Sequence, residues 1–188
     1  MSIYKIENTL GEYRQLRPLK YDDAEVLTES YGVSLSSEWK PIEFSWDYSE
    51  GEGIRNLFMY LGSILIADEQ SKTVIQSILN EEKIEFLPIH VDNEVLYIVN
   101  VCTFSGDRLN LKKSDVEYFK NGEIKWINKF VFNPSDDIPT LFRVPEIHTA
   151  LFTSKQFADA VNRDNLTGLR FQECNIKKSF LKSFISKN

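Results

Sequence analysis

Residues 63–89 read as a strand, a capped helix and a second strand, and this unit constrains the fold more than anything else in the chain. Ser63 to Ala67 is strand-like, and Asp68 is placed to accept the orphan amide hydrogens that open a helix. Val74, Ile75, Ile78 and Leu79 then share one face at helical spacing. The chain returns through Ile84-Glu85-Phe86-Leu87-Pro88-Ile89, where Pro88, lacking a backbone donor, belongs at an edge or bulge. A weaker copy lies further on: Ala150 to Thr153 as strand, Ser154 as cap, Phe157, Ala158 and Val161 as helix face, and Leu169-Arg170-Phe171 as the returning strand. Aligning Asp68 with Ser154 brings Glu85-Phe86 opposite Arg170-Phe171 with a one-residue offset. The pair reads either as an internal duplication or as two ordinary strand-helix-strand units alike by chance.

The remaining pattern is mostly extended. Val95 to Val101 is an apolar strand, and Leu141 to Val144 is another, bounded by Pro139 and Pro145. Val116 to Phe119 and Ile124 to Phe132 flank Lys120-Asn121-Gly122-Glu123, and Asn-Gly is the strongest short hairpin signal. Ile3 to Ile6 reads as an edge strand, followed by a polar stretch of loops or a short helix containing Asp22, Asp23 and Glu25. Trp39 to Trp46 alternates at strand spacing, and Asp47 to Gly53 is an acidic, glycine-containing loop. Ile54, Leu57, Phe58 and Leu61 follow the spacing of one helical face, with Gly62 as its stop. The tail, residues 176–185, reads as a basic amphipathic helix that closes the protein's own core or docks elsewhere. The expected fold class is therefore α+β: a mixed, largely antiparallel sheet with a few short helices. At 188 residues the chain fits one compact domain, or two packed subdomains at 1–92 and 93–188.

Charge narrows the partners. The chain carries 22 Lys plus Arg against 28 Asp plus Glu, and four of those lysines, Lys177, Lys178, Lys182 and Lys187, lie in the final stretch, which holds no acid. The rest of the chain repels phosphate backbones, so a direct nucleic-acid partner is not expected. An acidic surface steers encounter with a basic protein, although negative charge also serves plain solubility. Neither a signal-peptide pattern nor an apolar stretch of membrane-spanning length is evident, and the two cysteines, Cys102 and Cys174, suit a reduced compartment. A cytoplasmic location is the expectation.

Chemistry-bearing motifs are sparse. His90 and His148 stand alone, without neighbouring ligands of metal-site spacing. There is no G-x-S-x-G elbow and no phosphate-cradling glycine loop. The acidic pairs Glu81-Glu82, Asp22-Asp23 and Asp136-Asp137 read as solvated loop charge. The expectation is a binding protein without a cofactor or catalytic group; the alternatives are a small enzyme with an unfamiliar site or a structural interaction module.

Several segments, in order, resemble a family of bacterial immunity proteins found with polymorphic toxins. They are Trp39-Lys40-Pro41, residues 64–72, Phe86-Leu87-Pro88, Tyr97 with Asn100-Val101, Leu141-Phe142-Arg143, and Leu166 to Phe171. The resemblance implies a cytoplasmic protector that neutralises a cognate protein toxin by forming a complex, with no catalytic residues to carry over. Interface energetics favour aromatics with nearby charge. The candidate contact residues are therefore Trp46, Asp47, Tyr48, Glu50 and Glu52, with Asp136 and Asp137 as a second surface; Trp46 has a competing reading as core.

Overall fold

The computed structural model describes residues 2–20, 25–28, 31–79, 82–106 and 108–176. Of the expected tail helix only Ile176 is described, and it is extended; residues 177–185, the pair Asp22-Asp23 and Glu81 lie outside these residues, and Glu25 to Thr28 are helical. The architecture is α+β with mostly antiparallel sheets.

Six strands form the larger sheet, in the order β2 (Gln15–Pro18), β3 (Ile42–Asp47), β6 (Ile84–Val91), β7 (Glu94–Val101), β5 (Ile64–Ala67), β4 (Leu57–Tyr60). Only β3 and β6 pair in parallel within it. A four-stranded sheet runs β11 (Leu141–Phe142), β12 (Phe152–Ser154), β1 (Ile3–Asn8), β13 (Leu169–Glu173), all antiparallel. Helix α1 (Glu69–Ile78) joins β5 to β6, and α2 (Lys155–Arg163) joins β12 to β13. Two small ribbons complete the set: β8 (Asp115–Tyr118) with β9 (Ile124–Lys129), and β10 (Val131–Phe132) with β14 (Asn175–Ile176).

The two strand-helix-strand units have one topology. In each, the strands flanking the helix are parallel with an antiparallel strand between them, and a further antiparallel strand lies outside: β6-β7-β5-β4 in the first, β13-β1-β12-β11 in the second. The register matches residue by residue. Leu65 and Phe86 both pair with Val99, while Phe171 pairs with Ile6, whose amide donates to the Leu151 carbonyl. Leu65 and Leu151 each stand three residues before their cap, and Ile75 and Val161 each seven after it. All these equivalent positions meet in one core, to which both helices contribute. The division at 92/93 falls in the tight turn between β6 and β7, which pair along their whole length.

The larger sheet is covered on both faces, and this explains the main departure from expectation. Leu65, Ala67 and Val99 enter the shared core, whereas Ile64, Ile66 and Ile98 enter a second core with Leu27, Phe44 and Ile89. A strand buried on both sides reads as an unbroken apolar run rather than an alternating one. The stretch 54–61 accordingly holds a strand, β4, and not a helix: Leu57 to Tyr60 are all buried, and Leu61-Gly62 is the turn into β5, with φ of 49° and 72°. The free side of β4 is met by the other unit. The Asn8 side chain accepts from the Met59 amide at 2.6 Å and donates to the Met59 carbonyl at 2.9 Å, and the Thr167 carbonyl accepts from the Asn56 and Leu57 amides. Strand β1 is likewise interior rather than an edge, since both its sides are paired. Pro88 lies in an interior strand, at the last position before pairing with β3 begins at Ile89.

A third core gathers Phe132, Phe142 and Phe152 beneath the β8-β9 hairpin, with ring centroids 5.2 to 6.2 Å apart. In the hairpin turn Gly122 takes the positive φ, and Asn121 accepts from the Glu123 amide at 3.1 Å through its side chain.

Candidate partner-binding surface

The acidic loop after β3 is not free-standing. It is zipped to residues 12–14: Tyr13 and Gly53 form a parallel bridge, Gly53 donates to the Glu12 carbonyl, and Arg14 donates to the Gly53 carbonyl. Beneath the zip lies a stack of cations and aromatic rings. The Arg55 guanidinium sits between Tyr13 and Phe58, at 4.7 and 4.6 Å from their centroids, and donates to the Arg14 carbonyl at 3.2 Å. Arg14 covers the Trp46 ring at 3.7 Å and holds Glu94 through two bonds of 3.2 and 3.1 Å. Desolvation lowers the Arg55 pKa, opposed by the nearby Tyr13 and Glu50. Planar guanidinium stacked on rings adds packing as well as cation–π attraction, so the stack is a rigid platform.

On that platform the sequence-derived residues separate into two roles. Trp46 is half-buried, packs against the second core and stands 6.2 Å from the Phe58 ring, so it belongs to the support. Asp47 folds back to accept from the Ser49 amide at 2.9 Å, and this bond lowers its pKa. Tyr48 is 54% exposed, and Glu50 and Glu52 are exposed with it. Sequence reasoning missed the other apolar members. Ile54 is 67% exposed and Leu10 is 85% exposed, each flanking one of the segments that the zip joins. Leu10, Tyr48 and Ile54 are thus exposed apolar side chains on neighbouring stretches of chain that also expose Glu12, Glu50 and Glu52. The signal available in sequence was Leu10 standing alone among polar neighbours. Asp136 and Asp137 are exposed on the separate connection between β10 and β11, where the Ser135 hydroxyl donates to the Asp137 carbonyl.

The groups considered for catalysis lie elsewhere. His90 shares a 2.8 Å contact with the Glu43 carboxylate on exposed strand positions, and His148 offers its carbonyl to Arg143. Burial pushes the Cys102 thiol up, and the Cys174 thiol up to about 12, away from the thiolate that nucleophilic work requires. Among the described residues no group of three or more His, Cys, Asp or Glu could hold a metal ion, and no helix is long and apolar enough to cross a membrane. No protein-family model matches the sequence, and no curated protein matches it.

Proposed function

We propose that this chain is an immunity protein that neutralises a cognate protein toxin by covering a basic, functionally essential surface, without turnover. The observation that carries the reading is the set of exposed apolar and acidic side chains on the zipped loops: Leu10, Tyr48 and Ile54 would anchor the contact, and Glu12, Glu50 and Glu52 would steer encounter. The excess of acidic residues outside the tail favours a cationic partner such as a nucleic-acid-degrading toxin, whose active site an acidic inhibitor can occupy as a charge mimic.

The test is a tagged pull-down from the native host at low and raised salt, followed by co-expression with the basic toxin recovered. Stoichiometric capture of one toxin with rescue of growth is the expected result. Tyr48→Ala with Ile54→Ala should weaken binding by about a hundredfold through faster dissociation. Glu50→Lys with Glu52→Lys should mainly slow association and reduce its salt dependence. A toxin whose contact surface is acidic, or a chain with no partner that turns over a substrate, overturns the proposal; self-association alone would favour the structural-module reading.

A further inference from the structure

A cleft of about 330 Å³ opens between strand β1, the turn joining β4 to β5, and the β8-β9 hairpin. Trp126, Phe130, Leu61 and Ile147 are among its apolar lining residues. Two of them are large and exposed, Leu61 at 58% and Trp126 at 55%. Ligand pockets of ~300–1,000 Å³ combine such walls with a few converging polar groups. Here these are the Lys5 ammonium, 5.7 and 6.0 Å from the Phe130 and Trp126 ring centroids, and the hydroxyls of Tyr31 and Ser63, joined by a 2.5 Å hydrogen bond.

The charged side chain that lines this cleft is a cation, Lys5, in a chain that is acidic as a whole. Glu7 is the carboxylate on which both Lys5, at 2.9 Å, and Arg170, at 2.7 Å, converge. Behind the Tyr31–Ser63 wall lies Arg143, only 2% exposed. It donates to the His148 and Ser63 carbonyls, at 2.5 and 3.2 Å, and its guanidinium stands 5.1 Å from the Tyr31 ring. No carboxylate among the described residues pairs with it, and its Nε is buried without an acceptor. Burial lowers its pKa to about 10, which leaves it charged at neutral pH. A buried cation is ordinarily paired, because desolvation is costly otherwise. The cleft is thus lined by one cation, Lys5, whose carboxylate partner Glu7 is shared with Arg170, and it is backed by the buried Arg143, which bonds the Ser63 carbonyl.

We infer that this cleft binds a small carboxylate with an aromatic or branched apolar body. The body lies against Trp126, Phe130 and Leu61; the carboxylate faces Lys5 and the Tyr31–Ser63 hydroxyls, in the field of Arg143. The site shares no residue with the zipped loops, so it stands or falls independently of the toxin-binding reading.

Calorimetric titration of the full chain with phenylacetate, indole-3-acetate and isovalerate, and with their primary amides, tests the assignment. The acids should bind one to one with Kd below about 1 mM, and the amides about tenfold more weakly or worse, for want of the charge-assisted contact. Lys5→Met should remove that preference while Lys5→Arg keeps it, and Trp126→Ala should weaken acids and amides alike. Equal affinity for acids and amides, an unchanged preference in Lys5→Met, or no heat from any ligand at about 10 mM would each overturn the proposal.

Discussion

The two strand-helix-strand units place equivalent residues in one core yet are closed in different ways. In the first, the central antiparallel strand β7 follows β6 directly through a tight turn, so pairing is local. In the second the same place is taken by β1, whose residue Ile3 pairs with Ser154. The capping differs as well. Asp68 accepts from the Ser71 amide at 2.7 Å and is itself held by Asn56, whereas Ser154 makes no side-chain capping bond and its hydroxyl is buried without a partner. Helix α2 offsets this with its buried face, setting Phe157, Ala158, Ala160 and Val161 against only Ser71 and Ile75 in α1. Topology here is specified by which apolar positions meet in the core; connectivity and capping are free to differ.

The seam between the units offers the strongest way to break the comparison. Gly168 has φ of 111°, and a Cβ there would stand 2.0 Å from the Leu57 carbonyl oxygen, whereas Gly62, with φ of 72°, has open space around it. Gly168→Ala should therefore cost about 3 kcal/mol or more in urea denaturation, and Gly62→Ala about 1 kcal/mol. Equal losses would mean that the units are not locked together at this point.

The caps sharpen the comparison at smaller magnitude. Asp68→Ala should lower stability by about 1–2 kcal/mol, and Ser154→Ala should be neutral within about 0.5 kcal/mol, since it removes an unsatisfied hydroxyl. Matching losses in thermal denaturation would show the two helix starts to be equivalent after all.

A last difference concerns acid. Burial pushes the Glu85 carboxyl up, but bonds from the Leu35 amide and from Ser34, Ser36 and Asn100 outweigh it and hold the pKa down to about 2. The Ser34 to Ser36 segment is thereby fixed to the first unit, and the second unit has Arg170 near the equivalent place. Because the folded-state pKa lies below the unfolded one, this stabilisation is complete above the ordinary glutamate range and is lost as pH falls toward about 2. Glu85→Gln should flatten the acid limb of the stability profile, followed by tryptophan fluorescence; an unchanged slope would assign acid sensitivity to other carboxylates.

Much of the first unit was legible because its signals are local: a cap at Asp68, helical spacing through Leu79, and an apolar return strand. Residues 54–61 misled for a physical reason. Short apolar runs fit a helix face and a doubly buried strand equally well; Ile54 and Leu61, taken as the ends of a buried face, point into solvent instead. The interior placement of β1 could not be read from Ile3 to Ile6, since nothing in those residues specifies strands some 150 positions away. The candidate loop was legible through its Gly, Ser and acidic residues. Its partner segment at Leu10 to Arg14 was not, because the zip between them is made of backbone bonds, which the side chains of that segment do not announce.

The origin of β1 also orders events during synthesis. The first unit, from β4 to β7, is complete once residue 101 is clear of the ribosome. Strand β1 is the earliest element made, and at ~5–20 residues per second it waits on the order of ten to thirty seconds before β12 and β13 emerge to flank it. During that interval the backbone groups on both its sides are satisfied by water or by temporary contacts within the nascent chain.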